Sequence, residues 1–394
     1  MIAIERQQSQ AHCDPQRHAV VLAVQDTTSF NFGGRRIDDL GVLDDNRTPG
    51  FFAHTTLSVS SAGVPLGLID QQVWTRPRTQ KAKDDKHKAL PIDHKESYKW
   101  LVGLNHSVQS APDQQVITVC DREADIYELF ATAHAHTAHF IVRVVRNRRT
   151  ADGPLLEEAL TETAAVSHFT LLYPRRPQAH PQEVGMTLRY ATLTLLPPHR
   201  VASARLMPLT PLTVQVVEAV EAAPPAGEKP LRWLLVTNLP VSDASQAQTI
   251  LRYYSYRWLV ERFHYVLKSG CHFEESQLAT YTALTNHLAL CSSVAWRLLW
   301  LTYQARLSPE ASCECVLAPV AWQALTAFLA RSPHPSPRPP TLREAVRGIA
   351  RLGGFLARTG DGEPGVKVLW RGLARLDDLV SFWLILHPQL VGND

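Results

Sequence analysis

The sequence lacks any uninterrupted apolar run long enough to span a bilayer. Its first ten residues, MIAIERQQSQ, also lack the basic-then-apolar order of a secretory signal. We therefore expect a cytoplasmic protein without a membrane partner. Because 45% of the 394 residues are hydrophobic and 20% are charged, the chain can bury a large core and divide into two or three structural units.

Cysteine is scarce, and the six thiols are scattered at positions 13, 120, 271, 291, 313 and 315. Cys313 and Cys315 form the one close pair, which has neither zinc-ligand spacing nor a second pair to complete a site. The pattern predicts reduced thiols.

A strong excess of positive charge is also absent, since the net charge is +3 and the pI is near 8.5. This balance does not by itself indicate a nucleic-acid-binding protein. Basic residues nevertheless cluster at 76–88, 143–149 and 252–258. Each cluster fits either a solvated surface or a phosphate-binding one.

Apolar runs bounded by turn residues predict an alternating core. The predicted order is strands over 18–26, 51–60 and 65–76, a helix over 97–111, a strand over 115–120, a helix over 123–134 and a strand over 139–145. Three strands in a meander, then helix, strand, helix and strand, is the order of an RNase H-like α/β core with a mixed five-stranded sheet. Strand-like segments separated by proline-rich turns then predict an all-β insertion, and helical periodicity dominates after about residue 242.

Three carboxylates stand out from this pattern. Asp26 and Asp121 each end an apolar run, where a rigid sheet can hold a side chain in place, although turn formers and helix caps occur at the same positions. Glu261 lies in a predicted helix, together with Tyr254, Arg257 and Lys268 at spacings that share one helical face. That face fits either a solvated surface with an Arg257–Glu261 pair or an active site whose basic groups grip phosphates.

Three motifs carry a family resemblance: VQDTTSFNF around Asp26, VCDREADIY around Asp121 and Y-x2-R-x3-E-x6-K around Glu261. They resemble the catalytic motifs of the DDE transposases of insertion-sequence family four, which includes the enzyme of the kanamycin-resistance transposon. The likeness extends through RWLLVTNLPV and GIARLGGFL, and it covers nearly everything from residue 18 onward.

The resemblance implies that Asp26, Asp121 and Glu261 together bind two Mg²⁺ ions, for which Mn²⁺ can substitute. Hard oxygen donors without histidine or cysteine suit such ions. The implied activity is cut-and-paste transposition of an insertion sequence on double-stranded DNA, in which one site nicks, forms and opens a hairpin, and joins ends to a target.

Further site residues follow from the same resemblance. It implies that Trp233 stacks on a flipped base, that Tyr254, Arg257 and Lys268 contact phosphates, and that Arg143 lies near the transposon end. The ordinary alternatives are a core position for Trp233 and an edge-strand charge for Arg143.

Family members have a longer segment before the first aspartate, which reads the transposon ends, whereas 25 residues precede Asp26 here. We expect the following organisation: a remnant of the N-terminal region at 1–17, the core at 18–150 and 242–306, the β-strand insertion at 151–241 and a helical dimerisation region at 307–394. The expected partners are DNA and a second copy of the chain in the synaptic complex, within the bacterial nucleoid. Two alternatives remain: a non-catalytic or inhibitory remnant that binds DNA, and an RNase H-like nuclease that cuts without joining.

Overall fold

The computed structural model describes residues 18–35, 37, 39–78, 90–173, 182–198 and 209–388. The predicted N-terminal remnant at 1–17 lies outside these ranges, as does most of the first basic cluster.

Nine strands form one sheet in the described residues, in the order β3-β2-β1-β4-β5-β9-β8-β7-β6. They are β1 (Val20–Asn31), β2 (Gly50–Ser60), β3 (Pro65–Trp74), β4 (Gln115–Cys120), β5 (His139–Arg143), β6 (Ser167–Tyr173), β7 (Gln182–Leu195), β8 (Leu212–Glu221) and β9 (Arg232–Thr237).

The first five strands have the mixed pairing predicted from the sequence. β1 pairs antiparallel with β2, and β2 with β3, whereas β1, β4 and β5 run parallel. The α/β class is therefore confirmed.

The sheet is nevertheless larger than the five strands predicted. β9 pairs antiparallel with β5, placing Ile141 opposite Thr237, and β8, β7 and β6 continue from it in antiparallel order. The strands between residues 151 and 241 thus extend the central sheet, because β5 offers β9 a free edge for hydrogen bonding.

The described helices are α1 (Tyr98–Ser110), α2 (Tyr127–Ala135), α3 (Leu156–Thr161), α4 (Ala244–Ser255), α5 (Trp258–Tyr265), α6 (Tyr281–Leu307), α7 (Pro319–Ala330), α8 (Leu342–Leu352) and α9 (Val366–Leu386). Side chains cap several of them. Asp243 accepts a hydrogen bond from the N–H of Gln246 at the start of α4, and Thr341 forms a capping box with Glu344 at the start of α8. None of the described helices is long and apolar enough to cross a bilayer.

The prediction of one uninterrupted helix through Glu261 is wrong. The chain tightens at Tyr256 and Arg257, where N–H groups donate to the carbonyl three residues back, and a π-helical turn, Val266–Gly270, follows α5. These irregular turns bracket the short helix that carries Glu261.

Apolar side chains cover both faces of the sheet. Leu22 and Val24 of β1 pack on one face with Val260 and Phe263 of α5. Trp100 of α1 belongs to a second cluster on the opposite face. Because side chains alternate along a strand, Asp26 shares the α5 face with Leu22 and Val24.

The five cysteines among the described residues are free thiols, as predicted; Cys13 lies outside these ranges.

Candidate active site

Asp26 lies near the middle of β1, beneath α5. Its cross-strand partner in β2 is Thr55. The side chain is 17% exposed, and its Oδ1 accepts a hydrogen bond from the N–H of Thr27 at 2.8 Å. The carboxylate is thus held at the edge of the core with one oxygen fixed by the backbone.

Asp121 directly follows β4, the parallel neighbour of β1. Its Oδ1 accepts a hydrogen bond from the N–H of Glu123 at 2.8 Å and caps the short 3₁₀ turn Arg122–Ala124. The capping role considered from the sequence is therefore real. It does not exclude a catalytic role, because the second oxygen of a carboxylate can still act as a ligand.

Glu261 approaches the same place from α5. The guanidinium of Arg257 lies 2.6 Å from its Oε1 and 3.7 Å from Oδ2 of Asp26. Arg257 is 9% exposed, so it bridges a strand carboxylate and a helix carboxylate with little water between them.

Asp121 joins this group because it follows the strand next to β1. Burial raises the pKa of Asp26 to about 7, and the negative charges of Asp121 and Glu261 contribute to the rise. The Thr27 N–H and the Arg257 guanidinium oppose it. The fold therefore brings together three carboxylates that are far apart in the sequence.

The donors at this site are carboxylate oxygens, the kind that Mg²⁺ and Mn²⁺ prefer. Mutual repulsion of three carboxylates is also relieved by a divalent cation. Across the described ranges, however, no three histidine, cysteine, aspartate or glutamate side chains converge closely enough to coordinate one ion. Asp26 and Glu261 share the arginine instead.

An open groove of about 730 Å³ borders Glu261, between α5 and the start of α9. Trp258 and Tyr265 project into solvent from its wall and are 59% and 51% exposed. Arg262, Arg306 and Lys367 also line it. Aromatic faces with interleaved basic groups suit nucleic acid.

The predicted DNA contacts divide into two places. Tyr254 is buried at the end of α4, with its ring centroid 6.3 Å from that of Trp233. Burial raises the pKa of its phenol, and the guanidinium groups of Arg257 and Arg143 oppose that rise. Arg143 also donates to the carbonyl of Arg232 at 3.0 Å. Tyr254, Trp233 and Arg143 therefore cluster beside the arginine bridge.

Lys268 lies apart from that cluster, in the π turn after α5. Its ammonium group is 5.6 Å from the ring centroid of Phe30. The single helical face predicted from the spacing is therefore replaced by residues on α4, the tightened turn, α5 and the π turn.

A buried ion pair beside Asp121 was not predicted from the sequence. Asp125 and Arg148 pair with side chains 1% and 6% exposed. Asp125 also accepts hydrogen bonds from the N–H groups of Val145 and Arg146, each at 2.8 Å. These contacts tie the basic segment after β5 to the turn that follows Asp121. The acidic residue was visible in the motif VCDREADIY, but its partners were not.

Two family models match the chain. The transposase DDE domain matches residues 64–297, which include Asp121 and Glu261 and begin after Asp26. The transposase Tn5 dimerisation domain matches residues 293–382.

Among solved structures, one that this chain matches is a piggyBac transposase synaptic complex with hairpin DNA, with a TM-score of 0.34 and 9% identity. That similarity covers 95% of this chain and 54% of the other. The match to the transposase DDE domain covers more than half of this chain, so the chain belongs to the DDE transposase family.

Proposed function

We propose that this chain is a DNA transposase of the insertion-sequence family four type, with an RNase H-like core and Asp26, Asp121 and Glu261 as its catalytic carboxylates. The observation that carries the proposal is geometric: Arg257 bridges Asp26 and Glu261, and Asp121 follows the strand that runs parallel to the one carrying Asp26. Membership of the DDE transposase family supports the same assignment.

The three carboxylates are proposed to hold two Mg²⁺ ions, or Mn²⁺ in their place. When bound, these ions would activate water or a DNA 3′-OH and stabilise the leaving oxygen. One oxygen of Asp26 is held by the N–H of Thr27 in β1, and one oxygen of Asp121 by the N–H of Glu123 in the turn after β4. Glu261 supplies the third donor from α5, and Arg257 neutralises part of the negative charge that the fold concentrates there.

DNA contacts are proposed for the residues around this centre. Arg257 and Arg143 offer guanidinium groups for phosphates, and Lys268 offers an ammonium group. Trp233 is partly buried and can present a ring face to an unstacked base, with Tyr254 supporting it from behind. A flipped base would relieve strain while a hairpin forms at the cleaved end.

Dimerisation is proposed through the C-terminal helices, because transposition requires two DNA ends to be held together. The match to a transposase dimerisation domain supports this. Towards the end of α9, Phe382, Ile385 and Leu386 are 59%, 74% and 58% exposed. Large apolar side chains left in water at one helix end suit an interface with a second copy.

A cleavage and strand-transfer assay tests the proposal. We expect purified protein with Mg²⁺ or Mn²⁺ to nick or join DNA that carries the sequences flanking its gene. Asp26→Asn, Asp121→Asn and Glu261→Gln should each lower the rate by roughly a thousandfold or more, since a bound metal contributes several kcal/mol of transition-state stabilisation. Glu310→Gln, at an exposed glutamate in a loop, is the matched control.

The outcomes separate this function from its alternatives. Nicking without joining would indicate a nuclease, and DNA binding without either reaction would indicate a non-catalytic or inhibitory protein. Full activity of Glu261→Gln would rule out the proposed centre.

A further inference from the structure

A row of three side chains crosses the sheet beneath α5. Asp26 of β1 is paired with Thr55 of β2, and Thr55 is paired with Gln71 of β3. Directly paired residues of antiparallel strands project from the same face, so the three side chains stand next to one another.

Hydrogen bonds connect this row to the helix that carries Glu261. Ser292 of α6 donates to Oε1 of Gln71 at 3.1 Å, and Nε2 of Gln71 donates to Oγ1 of Thr55 at 3.3 Å. Nε2 of His264, in α5, lies 3.1 Å from the same Oγ1. Because the Thr55 hydroxyl accepts a hydrogen bond from Gln71, its own proton is available to donate to His264.

His264 is suited to accept that proton. The side chain is 6% exposed, and burial lowers the pKa of its imidazole to about 3. The ring is therefore neutral at physiological pH, and in the tautomer that carries its proton on Nδ1 the Nε2 atom is an acceptor. In that tautomer, Ser292, Gln71, Thr55 and His264 form one directed chain of donors and acceptors.

The spacing of the helix matches the spacing of the strands. Glu261 and His264 are three residues apart in α5, so their side chains leave the helix about 5–6 Å from each other. Asp26 and Thr55 lie on adjacent strands about 4.8 Å apart. With His264 bonded to Thr55, Glu261 faces the neighbouring strand, which carries Asp26.

We propose that His264 is a positioning residue that sets the place of Glu261 relative to Asp26, through its hydrogen bond to Thr55 and the supporting chain to Ser292. The inference rests on the proposed function for its catalytic consequence. An apolar side chain would fill the same buried position without the cost of desolvating an imidazole, so packing alone does not account for a histidine here.

Hydrogen–deuterium exchange tests the positioning role without any reference to activity. We expect His264→Leu and Thr55→Val each to raise amide exchange across residues 258–265 by about tenfold, because each removes the same buried hydrogen bond. The double variant should exchange no faster than the faster single variant. Ser292→Ala should shift exchange in the same direction but less.

Ser107→Ala is the matched control. Ser107 is also buried, and its hydroxyl donates to the carbonyl of Gly103 within α1 at 2.6 Å. The variant removes a buried hydroxyl from the helix on the opposite face of the sheet, so exchange at 258–265 should stay at the wild-type level.

A Mn²⁺ titration followed by thermal unfolding tests the consequence for the carboxylates. In His264→Leu the Mn²⁺ concentration at the midpoint of the titration should rise about ten- to a hundredfold, because a group that orients a metal ligand has been lost. His264→Gln places an amide near the position of Nε2 and should recover most of the affinity, which a purely structural defect would not do.

The inference is overturned if His264→Leu matches the wild type in both measurements, or if Ser107→Ala reproduces its effects. Failure of the proposed function would look different: the wild type would lack metal-dependent DNA cleavage while the exchange pattern at 258–265 followed the hydrogen-bond chain.

Discussion

The two sides of the candidate site are held by different means. Asp26 lies in β1 and Asp121 directly follows β4, the parallel neighbour of β1, and β1 is hydrogen-bonded along both of its edges. On the opposite face, Gln25 and Thr27 hold the fully buried His54 between them at 3.0 and 2.9 Å. Glu261 is carried by a helix of eight residues with an irregular turn at each end.

This difference indicates where the site can change shape. Moving a strand aspartate requires breaking a ladder of backbone hydrogen bonds, whereas shifting α5 requires changing a few side-chain contacts. We expect substitutions on the strand side to act on the stability of the whole protein. Substitutions on the helix side should act mainly on the placement of one carboxylate.

The largest effect is expected on the strand side, from Asp125→Ala. The substitution leaves the Arg148 guanidinium buried without its partner, and breaking a buried pair in this way costs about 3–5 kcal/mol. Urea unfolding of the purified variant measures the loss. Glu123→Ala removes a side chain that is 65% exposed and pairs with Lys99, and should cost less than about 1 kcal/mol. Equal losses in the two variants would show that the buried Asp125–Arg148 pair does not stabilise the strand side.

The next effect depends on pH and concerns Asp26. Its pKa in the folded protein is about 7 and its ordinary value is 3.8, so between these pH values the folded state keeps a proton that the unfolded state releases. The free energy of unfolding therefore falls as pH rises through this window and levels off above it. Asp26→Asn removes this loss. From pH 4 to pH 7 the free energy of unfolding of the metal-free variant should therefore rise relative to that of the wild type, by roughly 4 kcal/mol at most.

Urea unfolding in EDTA at several pH values measures that gain. A difference between variant and wild type that stayed constant from pH 4 to pH 8 would show that Asp26 is not desolvated as the fold implies.

The smallest effect is expected from Asp243→Ala, at the start of α4, the helix that leads into α5 on the helix side. Loss of this N-cap leaves the N–H of Gln246 without its partner and should cost about 1 kcal/mol. We expect faster amide exchange in α4 and little change in β1. Ser245→Ala, at an exposed position in the same turn, is the control. Equal protection loss in β1 and α4 would mean that the two sides are coupled more tightly than we infer.

Much of the core was predictable because its signals are local. The run that ends at Cys120 is short, β-branched and apolar. This pattern predicted both the strand and the position of Asp121 after it. The hairpin of β2 and β3 and the helices after residue 280 were predicted for the same kind of reason. Local sequence patterns do not indicate which strands pair with each other, so the pairing of β9 with β5 and the extended sheet were not predicted.

The candidate site shows the same division. Motif spacing predicted Asp26, Asp121 and Glu261 as site residues. Periodicity assumed an ideal helix from Tyr254 to Lys268, whereas Lys268 lies in a π turn after α5. His264 was not predicted, because its partner Thr55 is 209 residues away and depends on strand register. The one available signal was its position three residues after Glu261.

The shared sheet also limits how the molecule can be taken apart. Removing residues 151–241 would strip β9 from β5 and expose a row of unpaired backbone N–H and C=O groups at a central strand. The excised piece would in turn expose Val214 and Leu234, which are buried in the whole protein. This segment is therefore no interchangeable module, and a shortened chain would be prone to aggregate through its new edge.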